Sequence, residues 1–406
     1  MQAASLPAKE KEDAMNQEMR NAVWAYIDAH RDEILAMWKD FVDTRSDATD
    51  KARADVMAHK LAAVLEEIGC TVTLTDVGER NGLALEAVLG AERPGKPVLF
   101  TGHYDVVPLK GEHPFSIDEE GRAHGLGCLD MKGGVVMSIW IAKALTAAGW
   151  AQRPIRFIYV GDEENGHQWG KTKEFLVQHG GGGVCAFNME TGLVSDAICT
   201  GRKGTGQAEI TVHGVAAHSG NDFTSGRSAV TELVSKIPAI EALTNLDANT
   251  TVAVTTIQGG TVTNSIPPVA SCIVDLRFGG LAERERVLKA LEEICAKQTV
   301  PDTTTELDIR EFMAPFDSTG GVAELAAFVA ETSRLCGLGE MGGTVFLGGG
   351  SDAGFIQRAG TPVICSIGVR GQYNHSDREY ALVESMFQRA KLLACVVLRI
   401  DEYEAR

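Results

Sequence analysis

The sequence predicts an α/β fold, a mostly parallel-sheet domain interrupted by an α+β domain, and three observations carry the architecture. Short apolar runs alternate with helical periods through the first 200 residues or so, the pattern of strands joined by helical crossovers. Near Gly201 the runs change to polar–apolar alternation, the mark of strands with one open face. From about Pro315 the first pattern resumes, so the middle segment reads as an insertion.

In chain order, residues 1 to about 14 read as a frayed tail. From Met15 to Val42 the apolar residues Ala22, Val23, Ile27, Ile34, Leu35, Trp38 and Phe41 recur at a period of about 3.6 and predict a helix. A second helix spans about 52–68 and stops at Gly69. Strands follow at 71–77, 83–90 and 97–102; the last, PVLFTG, is continuously apolar and suits burial on both faces. A polar loop at 103–130 leads to a helix from Gly133 to about Ala148, a strand at 155–160, a helix near 171–179 and a strand at 184–189. Beyond Gly201 the order is strand, helix (228–243), two strands, helix (281–297), strand, which suits an α+β sandwich. A helix near 321–336, a GGGSDAG loop, a strand at 362–368 and a C-terminal helix from Val383 complete the chain. The expected domains are 1–203 with 316–406, and an inserted α+β domain at 204–315.

At 406 residues, with 44% hydrophobic and 23% charged, the chain is ordinary globular protein of two-domain length. A net charge of −17 argues against a nucleic-acid partner. The nine cysteines are scattered without a C-x-x-C and read as reduced, buried small hydrophobes. No signal-peptide run or membrane-spanning stretch is evident, so a cytoplasmic protein is expected.

Five segments concentrate acids and imidazoles: GHYD (102–105), GLGCLDMKGG (125–134), GDEENG (161–166), NMETG (188–192) and YNHSD (373–377). Three directly follow a predicted buried strand, and strands of one polarity end at one sheet edge, where ligands bind. His103, Asp105, Asp130, Glu163, Glu164, Glu190 and His375 should therefore converge. Five carboxylates so close would repel strongly unless cations relieve them. Two divalent ions fit; imidazole with carboxylate favours zinc, and cobalt or manganese suit the same set. In this scheme His103 and His375 take one ion each. Asp130 bridges, Glu164 and Glu190 complete the two shells, and Asp105 orients the His103 ring. Glu163 is then the carboxylate available as general base.

These residues resemble the co-catalytic zinc metallopeptidase family of glutamate carboxypeptidase, acetylornithine deacetylase and succinyl-diaminopimelate desuccinylase. The likeness runs over nearly the whole chain from Met15. It rests on G-H-x-D-V-V-P at 102–108, D-M-K-G-G at 130–134, D-E-E-x-G at 162–166, Glu190, and Y-x-H-S-D at 373–377. The resemblance implies that His218 polarises the scissile carbonyl and that Asn264 and Arg277 grip substrate near its carboxylate. It implies that Gly349 and Gly350 present backbone N–H groups, that the Asp130–Met131 peptide is cis, and that a metallopeptidase domain carries an inserted lid or dimerisation domain at 204–315, through which a homodimer forms. Three departures stand out. His167, Gln168 and Trp169 follow D-E-E-N-G where relatives carry a small residue. Met313 stands where glutamate-cleaving relatives carry a basic one. Arg202 and Lys203 lie at the domain junction as substitute cations.

Taken singly, each motif has a plainer reading. A lone H-x-D is commonly a surface loop, Glu163-Glu164 an acidic helix start, GGGSDAG a flexible loop and Arg277 a solvated strand residue. Cys128 packs, and His113, His124, His167, His179 and His213 are structural or surface residues. Together the motifs predict a metal-dependent hydrolase of an amide bond in a small carboxylate-bearing molecule, of carboxypeptidase, dipeptidase or N-acyl amino acid deacylase type. A non-peptide C–N bond (ureido, amidine or aryl-amine) is the alternative, and a non-catalytic binding protein the remaining one.

Overall fold

The computed structural model describes residues 8–405 and divides into two compact units. Part of the expected N-terminal tail lies outside the described residues. From Ala8 the chain is already helical, as the good helix formers in AKEKEDA favour. The long helix expected to Val42 is two helices, Ala8–Ala29 and Arg31–Asp43. They part at His30, whose Nδ1 lies 2.7 Å from the Tyr26 carbonyl.

The first unit comprises the chain up to Thr200, Ser318–Phe346 and Phe355 onward. Its main sheet runs in the order Cys70–Thr75, Gly82–Leu89, Ile155–Gly161, Val98–His103, Cys185–Asn188, Val363–Ile364. The last four strands are mutually parallel and the first two antiparallel. All six residues of Val98–His103 are buried, as its unbroken apolar run requires of a central strand. The helix Lys132–Ala147 is apolar nearly all round and buries thirteen residues, Lys132 to Ala142 with Ala144 and Leu145. The loop expected at 103–130 contains a short hairpin, Ser116–Ile117 with Arg122–His124, joined to Tyr380–Leu382 in a second small sheet.

The second unit comprises Gly201–Asp317 and Leu347–Gly354. It is a four-stranded antiparallel sheet, ordered Thr251–Gly259, Val269–Phe278, Gly204–His213, Thr304–Met313, with the helices Ala229–Glu241 and Leu281–Ala296. Along Val269–Phe278 every second residue is buried, so one face carries the core of Ile210, Val274, Leu276, Leu233 and Leu291. Leu347–Gly354, expected with the first domain, belongs to this unit. The Lys203 N–H bonds the Leu347 carbonyl at 3.2 Å and Arg202 Nη1 bonds the Gly350 carbonyl at 3.1 Å. A Gly-rich run has no periodicity from which to read such a partner.

Eight of the nine cysteines are buried, while Cys336 is only partly covered. Among the described residues no helix is long and apolar enough to cross a membrane.

Candidate metal centre

Strand register brings the acids together. His103 ends its strand opposite Val160, and Thr101 pairs with Asn188, so the segments after all three parallel strands emerge at one edge of the first unit's sheet. His103 is 1% exposed. Its Nε2 lies 3.2 Å from Asp130 Oδ1, 3.5 Å from Glu190 Oε1 and 3.8 Å from Glu163 Oε2. The other Asp130 oxygen lies 3.1 Å from His375 Nε2, which is 3.0 Å from Glu164 Oε2. One carboxylate thus stands between two imidazoles, each attended by further acids.

A tetrahedral ion with bonds of about 2.0–2.2 Å spaces its ligand atoms about 3.3–3.6 Å apart. The His103 contacts straddle that spacing and the His375 contacts fall just short of it. Even with both rings protonated, five carboxylates leave a net negative charge, which divalent cations offset. The donor set and its spacing therefore fit metal ions. Two overlapping groups, His103–Glu163–Glu190 and His103–Asp130–Glu164, have ligand atoms close enough to share an ion.

Asp105 is fully buried and serves two elements. Its Oδ1 lies 3.4 Å from His103 Nδ1, whose shorter contact, 3.1 Å, is with the Asp105 carbonyl. The carboxylate accepts the N–H groups of Glu163 at 3.2 Å and Glu164 at 3.0 Å. It ties the end of one strand to the loop after its neighbour. Asp162 fixes that loop from below, accepting from Asn81, from Thr172 Oγ1 at 2.8 Å, and facing His167 Nδ1 at 2.9 Å. His167 is thus buried and turned onto Asp162, whereas Trp169 is exposed, beneath the Arg80 guanidinium.

Asp130 sits just before the helix Lys132–Ala147, and the Asp130–Met131 peptide is cis. The loop before it is held by a residue that motif reading missed. Glu379 is buried and accepts N–H bonds from Gly127 at 3.1 Å, Leu129 at 2.8 Å and Asp130 at 3.0 Å. Asn374 donates to Asp130 Oδ2 at 2.7 Å. The Lys132 amine bonds the Thr44 carbonyl at 2.7 Å. The acid-rich run around SDRE was the only trace of Glu379, and it resembles solvated surface. Glu190 rides on backbone squeezed between two glycines. A Cβ on Gly134 would meet the Met189 carbonyl oxygen at 2.0 Å, and one on Gly368 would meet it at 2.2 Å.

Ionisation follows the same geometry. Burial alone would raise Asp130, but the His103 and His375 rings hold its carboxyl far below the usual range. Burial opposes a charge on His103, yet Glu163, Asp105, Asp130 and Glu190 together hold the ring well above its ordinary value. Hydrogen bonds to Asp130 and then Glu164 lift His375 to about 11. Burial, with the Asp130 charge added, pushes Glu164 and Glu379 each up to about 7.

The remaining expected residues belong to the second unit. His218 is exposed, and its Nδ1 accepts N–H bonds from Gly220 at 3.1 Å and Asn221 at 3.0 Å, so the neutral ring carries its proton on Nε2. Asn264 lies beside it: the Ser219 N–H bonds the Asn264 carbonyl at 3.0 Å, and His218 bridges to Ser265. Arg277 stands on the open sheet face, paired with Asp275 at 3.0 Å. Gly349 and Gly350 border the buried Arg202. Met313 is buried, and a Cβ on Gly350 would meet its side chain at 2.6 Å.

Residues 99–399 match the model of peptidase family M20/M25/M40. Carboxypeptidase G2 of Pseudomonas sp. (strain RS-16) is 25% identical over 402 residues, 95% of this chain and 93% of that protein. A succinyl-diaminopimelate desuccinylase of Methylobacterium nodulans is 30% identical over 323 residues, covering 72% and 77%. A Bacillus subtilis protein described as a dinuclear metal binding peptidase from the M20 family has a similar structure. Its TM-score is 0.61 at 18% identity, over 92% of this chain and 99% of that one.

Proposed function

This chain belongs to peptidase family M20/M25/M40 and is a metal-dependent hydrolase, and on that premise we propose that it uses two metal ions to cleave an amide bond in a small carboxylate-bearing substrate. The reaction is of carboxypeptidase, dipeptidase or N-acyl amino acid deacylase type. The observation that carries this reading is the Asp130 carboxylate, with one oxygen 3.2 Å from His103 and the other 3.1 Å from His375. His103 with Glu190 would hold one ion, His375 with Glu164 the other, and Asp130 both; zinc suits these donors, and cobalt or manganese are admissible. The description of the Bacillus subtilis relative as dinuclear supports that count. When bound, such ions lower the pKa of water and polarise the scissile carbonyl.

The chain's own groups divide the remaining work. Glu163 is the farthest of the three carboxylates about His103 Nε2, at 3.8 Å, which favours it as the base that takes a proton and passes it to the leaving nitrogen. Asp105 holds the His103 ring. His218 offers an Nε2–H donor for the carbonyl oxygen. Asn264, Arg277 and the Gly349–Gly350 backbone are the candidate grips for the substrate carboxylate, and Arg202 adds a cation beside that backbone. Buried Met313 supplies no charge for a glutamate side chain, so a specificity different from glutamate release is expected.

The strand Thr251–Gly259 is a sheet edge with Ile257 54% exposed, which favours a homodimer through the second unit. Nine scattered, mostly buried cysteines suit a reducing, cytoplasmic setting.

The test is hydrolysis of a panel of N-acyl amino acids, dipeptides, and ureido or aryl-amine compounds by protein loaded with zinc, cobalt or manganese, with Glu163→Gln as control. Turnover of amides alone, lost in the control, supports the proposal. Turnover confined to ureido or aryl-amine compounds overturns the choice of bond, and undiminished turnover by Glu163→Gln overturns the choice of base.

A further inference from the structure

We propose that Cys336 and Cys395 form a redox-active dithiol, a modification site at which a hydroperoxide converts the pair to a disulfide. The two residues are distant in sequence, yet one lies in and the other at the end of two helices that pack together in the first unit. They line a surface cavity of about 340 Å³ together with Gln17, Arg20, Arg399 and Glu402. Cys395, on the helix Val383–Leu398, is 2% exposed. Cys336, at the C-cap of the helix Val322–Leu335, is the one cysteine that is not fully buried.

The environment distinguishes the two sulfurs. A helix C-terminus disfavours an anion, but Arg20 and Arg399 line the same cavity. Interaction with Cys395, with those cations, brings the Cys336 thiol down to about 7 despite burial. Interaction with Cys336 and burial push Cys395 up. Elsewhere burial raises the thiols, Cys70 to about 12 and Cys272 to about 11. Cys336 is therefore both the most thiolate-like of these sulfurs and the one reachable from solvent, the combination that sets thiol reactivity. Arg399 is pinned by Thr332 Oγ1 at 2.7 Å, by Glu402 at 2.9 Å and by Glu331 at 3.3 Å, so its place in the cavity wall is fixed.

The chemistry balances with hydrogen peroxide as oxidant. The Cys336 thiolate attacks one peroxide oxygen; an S–O bond forms and the O–O bond breaks. Hydroxide leaves and takes from solvent the proton that Cys336 had lost. Cys395 then attacks the sulfenic sulfur, the S–S bond forms, and the S–O bond breaks. That second hydroxide departs as water with the Cys395 proton. Two electrons pass from the sulfur pair to the peroxide, giving one disulfide and two waters.

The experiment treats native protein with a small molar excess of hydrogen peroxide, alkylates remaining thiols, and maps tryptic peptides without reduction. The expected product joins the peptides Leu335–Arg358 and Leu392–Arg399, two hydrogens lighter than their sum, and disappears with dithiothreitol. In Cys395→Ser, dimedone present during the oxidation should label Cys336 alone. In Cys336→Ser, the peroxide-dependent loss of thiols should slow at least tenfold. Native protein that retains both thiols while other cysteines oxidise overturns the proposal, as does a Cys395→Ser variant that folds, judged by its melting, and leaves Cys336 unlabelled.

Discussion

The two imidazoles of the candidate centre sit in contrasting surroundings. His103 ends a central strand, is buried on all sides and leans on Asp105, which also holds the neighbouring loop. The His375 side chain is 52% exposed and lies in a loop where Tyr373 and His375 both have positive φ, anchored chiefly by contacts to Asp130 and Glu164. One half of the centre is built on the end of a central strand, and the other on an exposed turn. Rigid secondary structure gives placement, and an exposed turn gives adjustability.

The largest effect expected from this contrast is at Asp130, which serves both halves. Asp130→Ala should remove both ions and reduce turnover to background, read by metal analysis beside the kinetics. Glu163→Gln should lower kcat by about 10²–10⁴-fold with metal content unchanged. The halves themselves separate in a paired comparison. His375→Ala should lose one ion and lower the melting temperature less than His103→Ala does. Equal losses of metal and stability in both variants would abolish the contrast. Asp105→Asn should weaken metal affinity about 10–100-fold, chiefly on the His103 side.

Acidity sharpens the same comparison in metal-free protein. Glu164 and Glu379 are lifted to about 7 in the folded chain, so folding favours their protonated forms, and the stability this gives is lost as pH rises from about 4.5 to 7. His375, lifted to about 11, contributes stability that is present below about 6.5 and fades above it. Asp130 acts oppositely, its contribution vanishing in strong acid. Stability of the chelated protein should therefore fall between pH 5 and 8, by up to about 1.4 kcal/mol per pH unit for each of the buried Glu164 and Glu379, and by less for the half-exposed, solvent-screened His375. Saturating metal should flatten that slope. A chelated protein whose melting is constant over this range would contradict the argument. The smallest effect belongs to Glu379→Gln, which puts an amide NH₂ or a lost acceptor opposite one of three N–H groups. It should cost about 1–3 kcal/mol, measured by urea unfolding.

The contrast also explains what the sequence disclosed. His103, Asp162–Glu164 and Glu190 follow apolar strands, so one periodicity argument collects them at a single edge. His375 follows no such strand; only its motif marked it. Asp105 was visible as a partner for His103, but its amide bonds to Glu163 and Glu164 were not, because they depend on how far the neighbouring strand extends. Glu379 carries no periodic signal and acts through three backbone N–H groups, which every residue type supplies. The break at His30 and the 116–124 hairpin were hidden for a related reason: single polar contacts and two-residue strands leave too little pattern. The pairing of Cys336 with Cys395 needed the tertiary packing of two helices that the sequence predicts individually.

The glycines flanking Met189 have a bearing on how this chain tolerates change. Neither Gly134 nor Gly368 offers any chemistry, yet each leaves room for a carbonyl oxygen that a single methyl group would displace, about 2 Å away. The segment that would move carries Glu190. In a saturation library selected for hydrolysis, these two positions should therefore behave like metal ligands, refusing even alanine. A mutational map read without coordinates would assign them to the reaction, although they contribute vacant space and, at Gly368, an N–H bond to the Glu190 carbonyl.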